Sequence, residues 1–89
     1  MNIEQLYKSM LELDIAVKLL HFQTTSYDIH KITDAFLLTY RTLFDAFWEV
    51  FQTNKFRISF KTSIPMQLNN VRSLKDLEPI TAKVAKLLQ

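Results

Sequence analysis

Between Tyr27 and Phe51 the chain reads YDIHKITDAFLLTYRTLFDAFWEVF, with no proline and with apolar residues returning every three or four positions. Only an α-helix gathers that spacing onto a continuous face. The run predicts one long helix over residues 26–51, and everything else must pack around it. Ile29, Ile32, Phe36, Leu43, Phe47 and Val50 make the expected core stripe. Leu37, Tyr40, Phe44, Trp48 and Phe51 make a second, aromatic row beside it. Two apolar rows are more than one helix–helix contact needs. They imply either one broad buried face or, the reading preferred here, a core stripe plus a subunit interface.

A first helix is predicted over 2–22, where Ile3, Leu6, Met10, Leu13, Val17 and Leu20 form a single stripe and Glu4, Lys8, Glu12 and Lys18 lie largely off it. His21 closes this helix, and Thr25 or Ser26 can cap the next. So short a connection forces the two helices antiparallel. Beyond them the period changes. Phe56, Ile58 and Phe60 alternate with Lys55, Arg57, Ser59 and Lys61, and Pro65 excludes a regular helix, so residues 52–73 read as an extended connector. About twenty extended residues span 60 Å or more. The preceding helix, at about 1.5 Å per residue, is nearer 37 Å. The connector can therefore cross back along it before a short third helix over 76–88, capped by Ser73 or Asp76, with Pro79 in its first turn.

Composition narrows the choices further. The chain of 89 residues has no glycine and no cysteine, which disfavours tight hairpins and excludes disulfides, thiolate metal sites and glycine-rich phosphate loops. A net charge of +2 gives weak support for nucleic-acid binding, for which Lys55, Arg57 and Lys61 are the nearest thing to a basic patch. No apolar run reaches the roughly 18 residues of a membrane span. The expectation is a single all-α domain over 1–89 that is soluble. A chain of this size buries only about 60–65% of its unfolded surface, so self-association would help it.

Two histidines and three acids are threaded through the hairpin: His21, His30, Asp34, Asp45 and Glu49. His30 and Asp34 are one helical turn apart, as are Asp45 and Glu49, so each pair can share an ion. Imidazole and carboxylate donors suit iron, manganese or zinc. Asp45 and Glu49 lie fifteen and nineteen residues beyond His30, roughly 22–28 Å along the helix. One chain therefore cannot bring them to the histidines. Two chains packed antiparallel about a two-fold axis could, giving two shared sites. Taken singly, each group also has an ordinary reading: His21 as a helix cap, His30 as a hydrogen-bonded residue, Asp45 or Glu49 as an ion-pair partner of Arg41.

The segments LLHFQTTSYDIHKITDAF and LFDAFWEVFQTNKFR resemble the ferritin-like proteins of the mini-ferritin type, the DNA-protecting proteins of starved cells. In that family a histidine followed by Trp-Asn ends the first helix. The second helix carries a histidine, an acid four residues on, an acid at fifteen and a glutamate at nineteen. His30, Asp34, Asp45 and Glu49 keep that register, and His21 stands for the first histidine. The chain is similar, more closely, to a ferritin-like family found largely in viruses and phages. Its pattern runs Leu-His-Trp-Gln-Thr-x-Ser-Tyr, then His-Lys-x-x-Asp, then Asp-x-Phe-x-Glu-Val-Tyr-Gln-Gly-Lys-Tyr-Gly-Arg. The resemblance covers residues 19–57, with Phe22 in place of the tryptophan.

The resemblance implies a ferritin-like helical bundle with a crossover between its second and third helices, and here without the family's fourth helix. It implies iron, or another divalent metal, bound and oxidised between two subunits. His21, His30 and Asp34 would come from one chain, Asp45 and Glu49 from its mate. The partners it implies are a second copy paired through the long helix and, for a chain that kept the fold and lost the chemistry, a virion or host protein. The corresponding location is the host cytoplasm or the virion.

Overall fold

A computed structural model of the protein describes residues 3–53 and 71–89, with Phe51 to Thr53 described as backbone only. It is all-helical among these residues: α1 (Ile3–Gln23), α2 (Tyr27–Thr53), a 3-10 turn (Leu74–Leu77) and α3 (Glu78–Leu87). No described helix is long and apolar enough to cross a membrane. The alternating segment Phe56–Ile58–Phe60 and Pro65 lie outside the described residues.

The α1–α2 turn needs no glycine because hydroxyls close it. Thr24 Oγ1 accepts the Ser26 N–H at 3.1 Å, and Ser26 Oγ accepts the Ile29 N–H at 3.3 Å. Ser26 is thus the N-cap of α2, and the helix begins one residue later than expected. It also continues to Thr53, so residues 52 and 53, expected in the connector, are helical. Ser73 and Asp76 cap the 3-10 turn rather than α3 itself. The Asp76 carboxylate accepts the N–H of Arg72 at 3.0 Å and that of Ser73 at 3.2 Å, and these bonds hold its carboxyl below the usual carboxylate range. The third α-helix is correspondingly shorter than predicted, with Pro79 tolerated in its first turn.

The hairpin is antiparallel, and α3 lies along it from the turn end. Val71 packs with Ala16 and Leu20 near the end of α1, and Lys83 reaches Glu12 at 3.5 Å near its middle. The third helix therefore runs parallel to α2 and antiparallel to α1. Because α1 touches both other helices, it buries more than one stripe. Leu6, Leu13, Val17 and Leu20 are buried as expected, and Ser9, Glu12 and Ala16 are buried as well. Glu12, expected off the stripe, is only 7% exposed. Its burial follows from α3, which brings Lys83 over it.

The two apolar rows of α2 are real, but the row expected beside the core is the one that faces α1, and of the expected core stripe only Ile29 and Phe47 are half-buried. The row facing α1 is Thr33, Leu37, Tyr40, Phe44 and Trp48, all buried or half-buried. Ile32, Phe36, Leu43 and Val50, expected in the core, are exposed. Polar tips explain the choice. The Tyr40 hydroxyl donates to the Met10 carbonyl at 2.8 Å, and Thr33 donates to the Ile29 carbonyl at 2.8 Å, so each can be buried with its oxygen satisfied. Tyr7 of α1 then packs against the rings of Phe44 and Trp48, with centroids 5.6 and 4.9 Å away.

Candidate metal half-site

His21 stands in the last turn of α1 and His30 in the first turn of α2, facing one another across the three-residue turn. Their rings stack, with centroids 4.0 Å apart and planes 21° from parallel. Each ring also binds the other residue's backbone: His21 Nδ1 lies 3.1 Å from the His30 carbonyl, and His30 Nδ1 lies 3.2 Å from the His21 carbonyl. A carbonyl oxygen only accepts, so both Nδ1 atoms carry protons. In the neutral rings the lone pair therefore sits on Nε2. Thr33 Oγ1, 2% exposed as a residue, supports the clasp at 3.0 Å from His21 Nδ1.

That tautomer leaves Nε2 as the nitrogen available to a metal. A ligating imidazole ordinarily gives its other N–H to a backbone carbonyl or carboxylate, which fixes the ring and raises its basicity. The stack itself does not complete a site. In-plane lone pairs of two nearly parallel rings do not converge, whereas metal–nitrogen bonds are about 2.0–2.1 Å. An ion held by both rings requires one of them to turn out of the stack. Among the described residues no three histidine, aspartate or glutamate side chains gather closely enough to hold a metal.

The acids fall where their spacing along the helix placed them. Asp34 is exposed and shares a cleft with Lys18, His21, Phe22, Leu38 and Arg41. Asp45 lies eleven residues further on, three turns to within about 20° at about 100° per residue, and Glu49 follows one turn later. The three therefore share a flank of α2, and all are exposed. Asp45 and Glu49 are carried to the far end of the helix, away from the histidines. The structure brings His21, His30 and Asp34 to one end and leaves the distal acids apart.

Arg41, the expected partner of Asp45 or Glu49, instead turns to α1, where its Nε is 3.3 Å from Asp14 Oδ1. Lys18 joins the same carboxylate at 3.7 Å. Asp14, Lys18 and Arg41 thus make an ion cluster beside the histidine end that sequence patterning did not single out. Thr33 is likewise unmarked by the apolar pattern. Its signal was its place in the row of Leu37 and Tyr40, once that row is recognised as the core.

No protein-family model, curated protein or solved structure matches this chain.

Proposed function

We propose that the protein binds a divalent metal, iron foremost, through a ferritin-like helical hairpin in which each chain supplies half-sites. The supporting observation is the His21–His30 clasp, in which both Nδ1 protons are spent on backbone carbonyls and both Nε2 atoms are left as donors. Asp34 lies in the cleft shared by His21. Asp45 and Glu49, on the same flank of α2, complete the donor set when a second copy lies antiparallel along that flank. Iron bound there supplies redox chemistry, and the chain supplies imidazole and carboxylate donors. The pairing surface for this arrangement is the flank bearing Leu38 and Phe22, each 75% exposed, because the aromatic row is spent on α1.

Aerobic Fe(II) titration, followed by the near-ultraviolet absorbance of the oxidised product, tests the proposal. Wild type should saturate, and His30→Ala and Glu49→Ala should not. Identical curves for all three proteins would end the reading.

One observation favours a second reading, a non-catalytic structural or host-interaction protein of a virus or phage built on the same bundle. It is the apolar side of α2, exposed at Ile32, Leu43 and Val50. Protein that takes up no iron while His21 and His30 stay stacked would support it. Host cytoplasm or the virion is the location both readings imply.

A further inference from the structure

The exposed side of α2 is a seam rather than a scatter. Ile32, Phe36, Thr39, Leu43, Ala46 and Val50 follow one another at intervals of four, three, four, three and four. This is the heptad spacing by which one helix lies along another. At about 100° per residue the seam sits roughly a third of a turn from the row that faces α1. Ile32 is 58%, Leu43 65% and Val50 56% exposed. At its edge Leu88, just past the end of α3, joins Leu43 and Val50 around an open apolar groove. Among the described residues the rest of the seam is left uncovered.

We propose that a second copy of this chain covers that seam, α2 packing antiparallel on α2 about a two-fold axis. The seam itself argues for self-pairing, because it complements its own reverse. With the helices antiparallel and centred between Thr39 and Leu43, Ile32 meets Val50, Phe36 meets Ala46 and Thr39 meets Leu43. The bulkiest side chain lies over the smallest, and no charge enters the seam. A foreign helix would not require this symmetry. An isologous contact does.

The available area is consistent with a dimer of moderate strength. A helix of 27 residues is about 40 Å long and 10–12 Å wide with its side chains. Two such strips amount to roughly 800–950 Å² in projection, and accessible area exceeds projection. The contact thus approaches the roughly 1,200 Å² at which specific interfaces begin. A net charge of +2 opposes it little. The acids Asp34, Asp45 and Glu49 lie on the opposite flank, so this pairing needs no metal and stands apart from the half-site reading.

Sedimentation equilibrium of the full chain in chelator, from low micromolar to a few hundred micromolar, is the test. Wild type should be dimeric. Leu43→Glu and Val50→Lys should each raise the dimer dissociation constant about tenfold or more while circular dichroism stays helical, since both residues are already exposed. Leu38→Glu, on the opposite flank, should leave the dimer intact. An equimolar mixture of the Leu43→Glu and Thr39→Lys proteins should re-form dimers, because the register sets position 39 against 43. A monomeric wild type, with the seam covered by another segment or a foreign partner, would overturn the proposal. So would dimers that survive Leu43→Glu or dissociate with Leu38→Glu.

Discussion

The Tyr40 hydroxyl donates to the Met10 carbonyl at 2.8 Å, tying the middle of α2 to α1 across the row of rings that forms the hairpin's core. Burial, with the Asp14 carboxylate adding to it, pushes this phenol up to about 12 from its ordinary 10.0. Below pH 10 the phenol is neutral in folded and unfolded chains alike, and its contribution is complete. Between 10 and about 12 the unfolded chain ionises while the folded one resists, so stability falls as pH rises through that window. Tyr40→Phe should cost about 1 kcal/mol at neutral pH, the ordinary net worth of such a bond. It should also flatten the loss between pH 10 and 12. Urea melts of both proteins at neutral and alkaline pH would show whether the two curves converge.

Deletion at the two rows of α2 should separate core from surface. Leu37 is 8% exposed and packs with Leu13 and Val17, so Leu37→Ala should cost about 2–5 kcal/mol. Leu43→Ala, in a metal-free sample dilute enough to be monomeric, should stay within about 0.5 kcal/mol. Comparable losses at both positions would mean that the rows are not distinct.

This contrast also marks how far patterning could carry. Helix positions, the antiparallel hairpin and Ser26 as one of two candidate caps were legible because turn chemistry and period are local properties, whereas Ser73, expected to cap α3, caps the 3-10 turn before it. Which row of α2 meets α1 was not legible, since two stripes a quarter turn apart have the same period. The decision rests on where the oxygens of Thr33 and Tyr40 find partners, a tertiary matter. For the same reason Glu12 read as a surface acid until α3 was in place over it. Spacing along α2 correctly separated His30 from Asp45 and Glu49. It carried no information on the stacked, reciprocal clasp between His21 and His30, which depends on the path of the turn.

Glu12 and Lys83 join α1 to α3 with one partner buried and the other half in water. Lys83→Met should destabilise by about 1–2 kcal/mol, because it leaves a desolvated carboxylate with less compensation. The double variant Glu12→Leu/Lys83→Met should recover most of that loss, since it removes the desolvated carboxylate that Lys83→Met leaves behind. Denaturant midpoints of the two variants and wild type measure the coupling. A double variant less stable than Lys83→Met would contradict it.

Ser9 is 1% exposed, and its hydroxyl finds no hydrogen-bond partner among the described residues. Removing an unsatisfied buried oxygen from a helix gains both desolvation free energy and helix propensity. Ser9→Ala should therefore be neutral or raise stability by up to about 1 kcal/mol, read as an upward shift of the thermal midpoint at unchanged helix content. A loss of that size would place an undetected partner on the hydroxyl.

The His21–His30 clasp should compete with any ion shared by the two rings. Stacked rings cannot aim both lone pairs at one point, so binding must break at least one of the contacts at 3.1 and 3.2 Å. Thr33→Val removes the hydroxyl that supports His21 without changing the size of the side chain much. It should cost the apoprotein about 1 kcal/mol, and the share owed to His21 should be lost in a His21→Ala background, leaving that of the bonds to the Ile29 and His30 carbonyls. Because the loosened ring is freer to turn outward, Thr33→Val should bind Zn(II) at least as well as wild type in calorimetric titration. Histidine-ring NMR should show the stacking shifts of both residues collapsing as metal is added. Tighter stacking on metal addition, or Zn(II) binding lost in Thr33→Val with the fold intact, would show that the clasp belongs to the bound state and not to the free one.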